Sequence, residues 1–278
     1  SYDVFDFAKD KMSLKKWEIK LKLPHLEFDI PWHQPVHEVT WPRLAEYCAN
    51  DVRATRAVFH ECYGDYIVRK VIAEISGLEV IDTNRQHITK MIIGDDKEAD
   101  HVYTDLATGI AEDKYGIPYP LDPNVINSFP GYERILNEKG KWINWFRGTD
   151  VGYGGYVYAE PGMYSNVALL DVGNMHGASI LALNKFGKHT ENYRAIREAR
   201  MAIKHHDYES ASKMFDGKFA KYLNDDEMAD ALEGALKLVL NSTYGIAAAT
   251  FTNPLKDPRD KNNIIALRGA LFMRTLQD

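Results

Sequence analysis

The sequence has few of the features that build disulfide-stapled or membrane-embedded proteins. Only two cysteines, Cys48 and Cys62, occur in 278 residues. Both lie in TWPRLAEYCANDVRATRAVFHECYG, a helical pattern that starts at a Thr40 N-cap. Fourteen residues separate the two thiols, which at helical rise is about 21 Å, whereas a disulfide needs α-carbons within roughly 7 Å. Free thiols are expected, as in a reducing cytoplasm. No run of about 18 apolar residues is present, so no helical membrane span is expected. Positive charge is not in excess either: 34 Lys and Arg against 40 Asp and Glu leave a net charge of −6. That excludes holding nucleic acid by bulk attraction, but it permits a local basic cleft. Low-complexity tracts and internal repeats are missing, and 45% hydrophobic with 27% charged residues is the composition of a folded chain. The opening SYDVFDFAKDKMSLKKW has no initiator Met and no signal-peptide pattern, so the chain is expected to begin inside a longer gene product.

Periodicity divides the rest. Residues 1–80 pass from LKKWEIKL through a loop rich in Pro and His into helical patterns between residues 40 and 76. Turn signals (GDDKEAD, DLATG, GIPYPLDPN, FPGYE) mark a loop-rich connector, in which Trp142, Trp145 and Phe146 are read as core. The apolar run from Val167 to Val172 suits a short buried strand ending at Asp171. Residues 190–245 are helical again with a break near YLNDDE, and IIALRGALFMRTLQ forms a last helix. His25, His33 and His37 lie among Pro24, Pro31 and Pro35 with no cysteine near, which argues against zinc.

One helix carries the sharpest signal. In LKLVLNSTYG, Leu232, Leu236, Val239 and Leu240 form the apolar side, while Lys237, Asn241 and Tyr244 share another face before a Gly245 C-cap. The template Lys-x-x-x-Asn-Ser-x-Tyr-Gly has five fixed positions and would arise by chance in a chain of this length roughly once in ten thousand times. It resembles motif B on the fingers helix of family B DNA polymerases. Other segments match that family in the same order. DVGNMHGASI resembles motif A, REARMAIKHH places Arg200 and Lys204 at the fingers spacing, and YCAND supplies the Tyr47 and Asp51 of the third 3′–5′ exonuclease motif. YGGYVYAEPG is similar to the glycine-rich segment between exonuclease and palm. The Met-His pair of motif A looks closest to the polymerases of tailed phages.

The resemblance implies an α/β (α+β) architecture. It comprises the C-terminal part of an RNase H-like exonuclease domain (1–80), a connector (81–160), the first part of a palm sheet (161–190), an antiparallel helical fingers hairpin (191–245) and a continued, truncated palm (246–278). It implies template-directed DNA synthesis with proofreading, primer-template DNA and deoxynucleoside triphosphates as partners, Mg²⁺ as cofactor, and a bacterial host cytoplasm as location. Asp171, at a strand end, would hold magnesium, because the metal prefers carboxylate oxygens shared with substrate phosphates. Arg200, Lys204 and Lys237 would meet the triphosphate, aimed from two antiparallel helices. Residues 194–222 hold seven Lys or Arg against four acids, in keeping with a local positive surface. His176 would stand under the sugar, and Asn241 and Tyr244 would line the floor beneath the new base pair. Asp51 would hold an exonuclease metal and Tyr47 would orient its water.

The pattern also departs from the family. Asn174, Gly177 and Ala178 stand where Ser, Pro and Ser are usual, and Gly177 is expected to loosen a turn. The chain stops at FMRTLQD, before the second palm carboxylate, and the first two exonuclease motifs are expected ahead of Ser1. Alone, it is expected not to polymerise; a missing C-terminal part or a second chain would complete the site. The alternative is a degenerate, non-catalytic nucleic-acid-binding relative.

Overall fold

Apolar residues at helical spacing generate most of the architecture. The computed structural model describes residues 3–31, 33–151, 160–169 and 172–276, and it is mixed α/β with about 50% helix and 6% strand. Helices α1 (Val4–Phe7), α2 (Leu14–Lys20), α3 (Trp41–Glu61), α4 (Tyr63–Ser76) and α5 (Asn84–Ile93) come first. Strands β1 (Tyr103–Thr104), β2 (Ala111–Glu112), β3 (Glu133–Leu136), β4 (Trp142–Phe146) and β5 (Thr149–Val151) follow. Then come α6 (Met175–Ala182), α7 (Thr190–Lys204), α8 (Tyr208–Lys213), α9 (Asp226–Ala247) and α10 (Ile264–Leu276). Local chemistry sets the ends. Thr83 and Gln86 form a reciprocal capping box on α5. The Asp225 carboxylate caps α9 by accepting from the Met228 N–H at 3.0 Å.

The centre of the core is α9, whose Ala229, Leu232, Ala235, Leu236 and Val239 are sealed from solvent against α4, α5, α6 and α7. Each buried Leu or Val stabilises by roughly 1.5–3 kcal/mol, so this stripe anchors the assembly. A smaller cluster of Ala8, Trp17, Val58 and Cys62 joins α1 and α2 to α3. Strands β1 and β2 pair antiparallel, and β3-β4-β5 is an antiparallel meander. Its second turn, Arg147-Gly148, has both residues at positive φ, the two-residue geometry that matches strand twist.

Helix α6 is placed by two close approaches. Asn174 sits in the left-handed region (φ 53°) and its side chain accepts from the Gly177 N–H at 3.3 Å, which starts the helix. A Cβ on Gly177 would collide with the Asn174 side-chain amide and lie 2.7 Å from the Tyr193 hydroxyl, so glycine lets both the cap and α7 come this near. Gly177 therefore tightens a contact inside the first turn of a helix; the expectation that it loosens a turn is corrected. On another side, a Cβ on Gly269 of α10 would meet Met175 at 2.9 Å.

A buried ionic group ties the loop after α6 to the loop before α10. Lys185 lies 3.3 Å from Asp260 and 3.8 Å from Asp257, and Arg259 pairs with Asp257 at 3.0 Å. Beside them His101 is buried, and burial drives its pKa from 6.5 to about 4 although the Asp257 carboxylate pulls the other way.

Several expectations change. Residues 160–169 contain no strand, and Val167 and Leu169 are exposed, because no described strand lies alongside to pair with them. Gly245 is not a C-cap; α9 continues to Ala247. The first helix of this region ends at Lys204, where His206 takes a positive φ, and the short α8 intervenes before YLNDDE. Phe146 is core, but Trp142 and Trp145 are exposed, since their strand lies in a small sheet that little else covers. Thr40 precedes α3, yet its hydroxyl donates to the His37 carbonyl at 2.7 Å instead of capping. Cys48 and Cys62 are free thiols, as expected. Among the described residues no helix is long and apolar enough to cross a membrane.

Two outcomes follow from this packing. Gly177→Ala should cost about 1–3 kcal/mol in urea unfolding, because the buried Tyr193 ring cannot retreat, while Gly269→Ala, facing a flexible methionine, should cost less; equal, near-zero effects would contradict the close approach. Neutral His101 stabilises the fold above pH 6.5, and that contribution is lost as pH falls from 6.5 towards about 4. Between pH 7 and pH 4.5, His101→Phe should lose about 2 kcal/mol less stability than the unsubstituted chain; identical pH profiles would refute it.

Candidate functional site

The α9 face singled out from sequence is built as its spacing requires. Lys237 and Asn241 are exposed and Tyr244 is half-buried, while Leu232, Leu236, Val239 and Leu240 point into the core. Two contacts set how α7 lies against it. The Tyr193 hydroxyl donates to the Leu240 carbonyl at 3.4 Å, and Arg200 pairs with Glu233 at 2.6 Å. Seven residues forward on α7 thus match seven residues back on α9, an antiparallel register. Lys237 is then level with Ile196 and Arg197. Lys204 is level with Ala229, about 12 Å further along the axis from Lys237.

The three predicted cations are therefore arranged unequally. Lys237 is exposed, the Arg200 charge is engaged by Glu233 one turn below Lys237, and Lys204 is exposed at the distant end of α7. Arg197, one turn before Arg200, sits nearer the level of Lys237 than Lys204 does. The sequence reading passed over it, although its spacing of three from Arg200 was a usable signal.

His176 and Tyr244 meet face to face. Their ring centroids are 3.8 Å apart with planes at 5°. The Tyr244 hydroxyl accepts from Asn263 Nδ2 at 2.9 Å, which fixes the phenol from the α10 side. The His176 Nδ1 atom is buried without a hydrogen-bond partner, and burial lowers the imidazole pKa, favouring the neutral ring. The start of α6 and the end of α9 thus present one aromatic platform with Asn241 a turn away. Asp171 lies outside the described residues, as do Tyr153, Gly154, Gly155 and Tyr156.

The second predicted constellation is a separate cluster. Tyr47 and Asp51 share one face of α3, and Lys15 from α2 joins them. Its ammonium lies 2.8 Å from Asp51, 3.2 Å from Glu18 and 4.5 Å from the Tyr47 ring centre. Burial, followed by the Asp51 charge, raises the Tyr47 pKa. Glu18 is fully buried and is met by Asn50 Nδ2 at 3.0 Å and His25 Nδ1 at 2.9 Å. Lys15 and Glu18 went unnoticed in the sequence because nothing local distinguishes them from other residues of LKKWEIKL. With Lys15 already against Asp51, this arrangement does not fit a divalent cation. Among the described residues no group of three or more His, Cys, Asp or Glu side chains is positioned to hold a metal ion.

No protein-family model matches the chain, and no curated protein or solved structure is significantly similar to it.

Proposed function

We propose that the chain is the central part of a phage-type family B DNA polymerase, in which α7 and α9 are the fingers and α6 is the first helix of the palm. The observation that carries this reading is the His176–Tyr244 stack. Two motifs far apart in sequence, each assigned to the same nucleotide on resemblance alone, come into contact. A neutral, flat platform of this kind supports a base pair or sugar without regard to base identity. In this reading Lys237 and Arg200 receive the triphosphate of an incoming deoxynucleotide, Lys204 acts only after the helices close, and Asn241 borders the platform. Arg200 must exchange Glu233 for phosphate, a swap that ties nucleotide arrival to a change at the α7–α9 contact.

Asp171 is the residue assigned to Mg²⁺, which supplies charge stabilisation for in-line transfer to a primer 3′-hydroxyl. Residues 1–80 are the end of an RNase H-like domain that keeps the Tyr47 and Asp51 motif, with Lys15 standing against Asp51 where a metal would bind. Activity requires the rest of the palm and thumb, from the same protein or a second chain, and the setting is a bacterial host cytoplasm. The second reading, a non-catalytic nucleic-acid-binding relative, draws support from the ion pairs that occupy Arg200 and Asp51.

Nucleotide binding separates the two. In equilibrium titrations of the chain with a deoxynucleoside triphosphate, Lys237→Ala should weaken binding about tenfold or more, as loss of a charge-assisted contact does. Glu233→Gln should tighten it by about 3–10-fold by releasing Arg200. Indifference of triphosphate binding to both substitutions would leave the non-catalytic reading.

A further inference from the structure

We propose that the open cavity between α6, α7, α10 and the loop of residues 120–126 binds a small ligand that joins a phosphate or carboxylate to an apolar body. The cavity measures about 680 Å³, within the range of small-molecule sites. Three arginines, Arg194, Arg197 and Arg268, are among its lining residues. Arg194 is matched by Glu191 at 3.2 Å. Among the described residues, Arg197 and Arg268 have no carboxylate at ion-pair distance.

Arg268 makes the strongest case. It is 6% exposed, and it donates from Nε to Asn127 Oδ1 at 2.8 Å and from Nη2 to the Ile126 carbonyl at 2.7 Å. Both acceptors are neutral, so they orient the guanidinium without cancelling its charge. A buried cation without a counter-charge is costly, and an anion entering from solvent supplies the missing partner. The Arg197 Nε atom is likewise buried with no hydrogen-bond partner, and so is the hydroxyl of Ser179 in the cavity wall. The remaining acid, Asp122, turns Oδ1 to the N–H and the side-chain amide of Asn124, at 2.9 and 3.1 Å. With Glu191 matched to Arg194, two guanidiniums face one carboxylate, and the cavity is net positive.

Charge alone does not describe the cavity. Leu121, Val125, Met175, Leu181 and Phe272 supply apolar wall. An anionic head on Arg197 and Arg268 with a hydrocarbon or aromatic body against that wall satisfies both. His176, Lys237, Asn241 and Tyr244 do not line it, so the inference does not rest on the polymerase reading.

Calorimetric titration of the 278-residue chain with phenyl phosphate, phenylacetate and benzyl alcohol tests it. At least one of the two anions should bind about tenfold or more tightly than the neutral alcohol, and Arg197→Gln should weaken that binding by about tenfold or more. Arg197 is half-exposed, so its substitution avoids the folding risk of changing Arg268. Lys213→Ala, an exposed cation on α8 outside both sites, should leave the affinity unchanged. Tighter phenyl phosphate identifies a phosphate ester as the source, and tighter phenylacetate a carboxylate. No heat with any of the three, equal binding of the alcohol, an unaffected Arg197→Gln variant or an equal loss in Lys213→Ala would each overturn the proposal.

Discussion

The contact on which the molecule turns is the one between Gly177 and Tyr193. Without a side chain at residue 177, α7 lies against the first turn of α6, and the Tyr193 phenol reaches on to the α9 backbone at Leu240. Tyr193 is sealed from solvent, and burial pushes its pKa up to about 12, so it stays a neutral donor throughout the ordinary pH range. One side chain thus pins three helices. Because α6 is pinned there, its next outward residue, His176, lies on Tyr244. Met175, turned another way, seats Gly269 of α10. The aromatic platform is therefore a consequence of backbone packing, which is the way a preorganised site is built.

Charge is distributed by a related logic. Where cations are buried near acids, as with Lys185 between Asp257 and Asp260, they fasten the loop after α6 to the α10 entry. Burial acts to raise the Asp257 pKa, yet the hydrogen bond from Arg259 and the nearby Lys185 leave it below its ordinary value, so the group stays ionised. On the α7–α9 face the cations are poised differently. Arg200 is half engaged by Glu233 and Lys237 is left in solvent, so an anion arriving there finds one open charge and one that must be won from a carboxylate. A chain of net charge −6 can hold phosphates at such a place because the field is local.

The sequence made the α9 face and its apolar stripe readable, since both follow from a 3.6-residue period that tertiary packing reinforced. It also exposed the Lys237, Asn241 and Tyr244 spacing. Gly245 misled because glycine marks helix ends only on average; here the hydrogen bonding of α9 carries through it to Ala247. The apolar run was read as a buried strand, but its described residues Val167 and Leu169 are exposed, because a strand needs a neighbour and neighbours are not encoded in the run itself; its end at Asp171 lies outside the described residues. Lys15 and Glu18 were invisible for the same reason: Lys15 meets Asp51 across 36 residues and Glu18 meets Asn50 across 32. The role of Gly177 was inverted, because its partner Tyr193 lies on a different helix. Local pattern predicted the elements, and long-range contact decided what they present.

The central claim is that α6 and α9 hold His176 and Tyr244 in parallel contact. The most direct measurement is the proton chemical shift of the His176 ring, assigned by comparison with His176→Gln. A phenol stacked on the imidazole places its ring protons in the shielding region above an aromatic face. The account predicts that those protons resonate upfield of the exposed histidines and move to ordinary positions in Tyr244→Leu. His176 shifts that are ordinary in the unsubstituted chain, or unchanged by the loss of Tyr244, would contradict it.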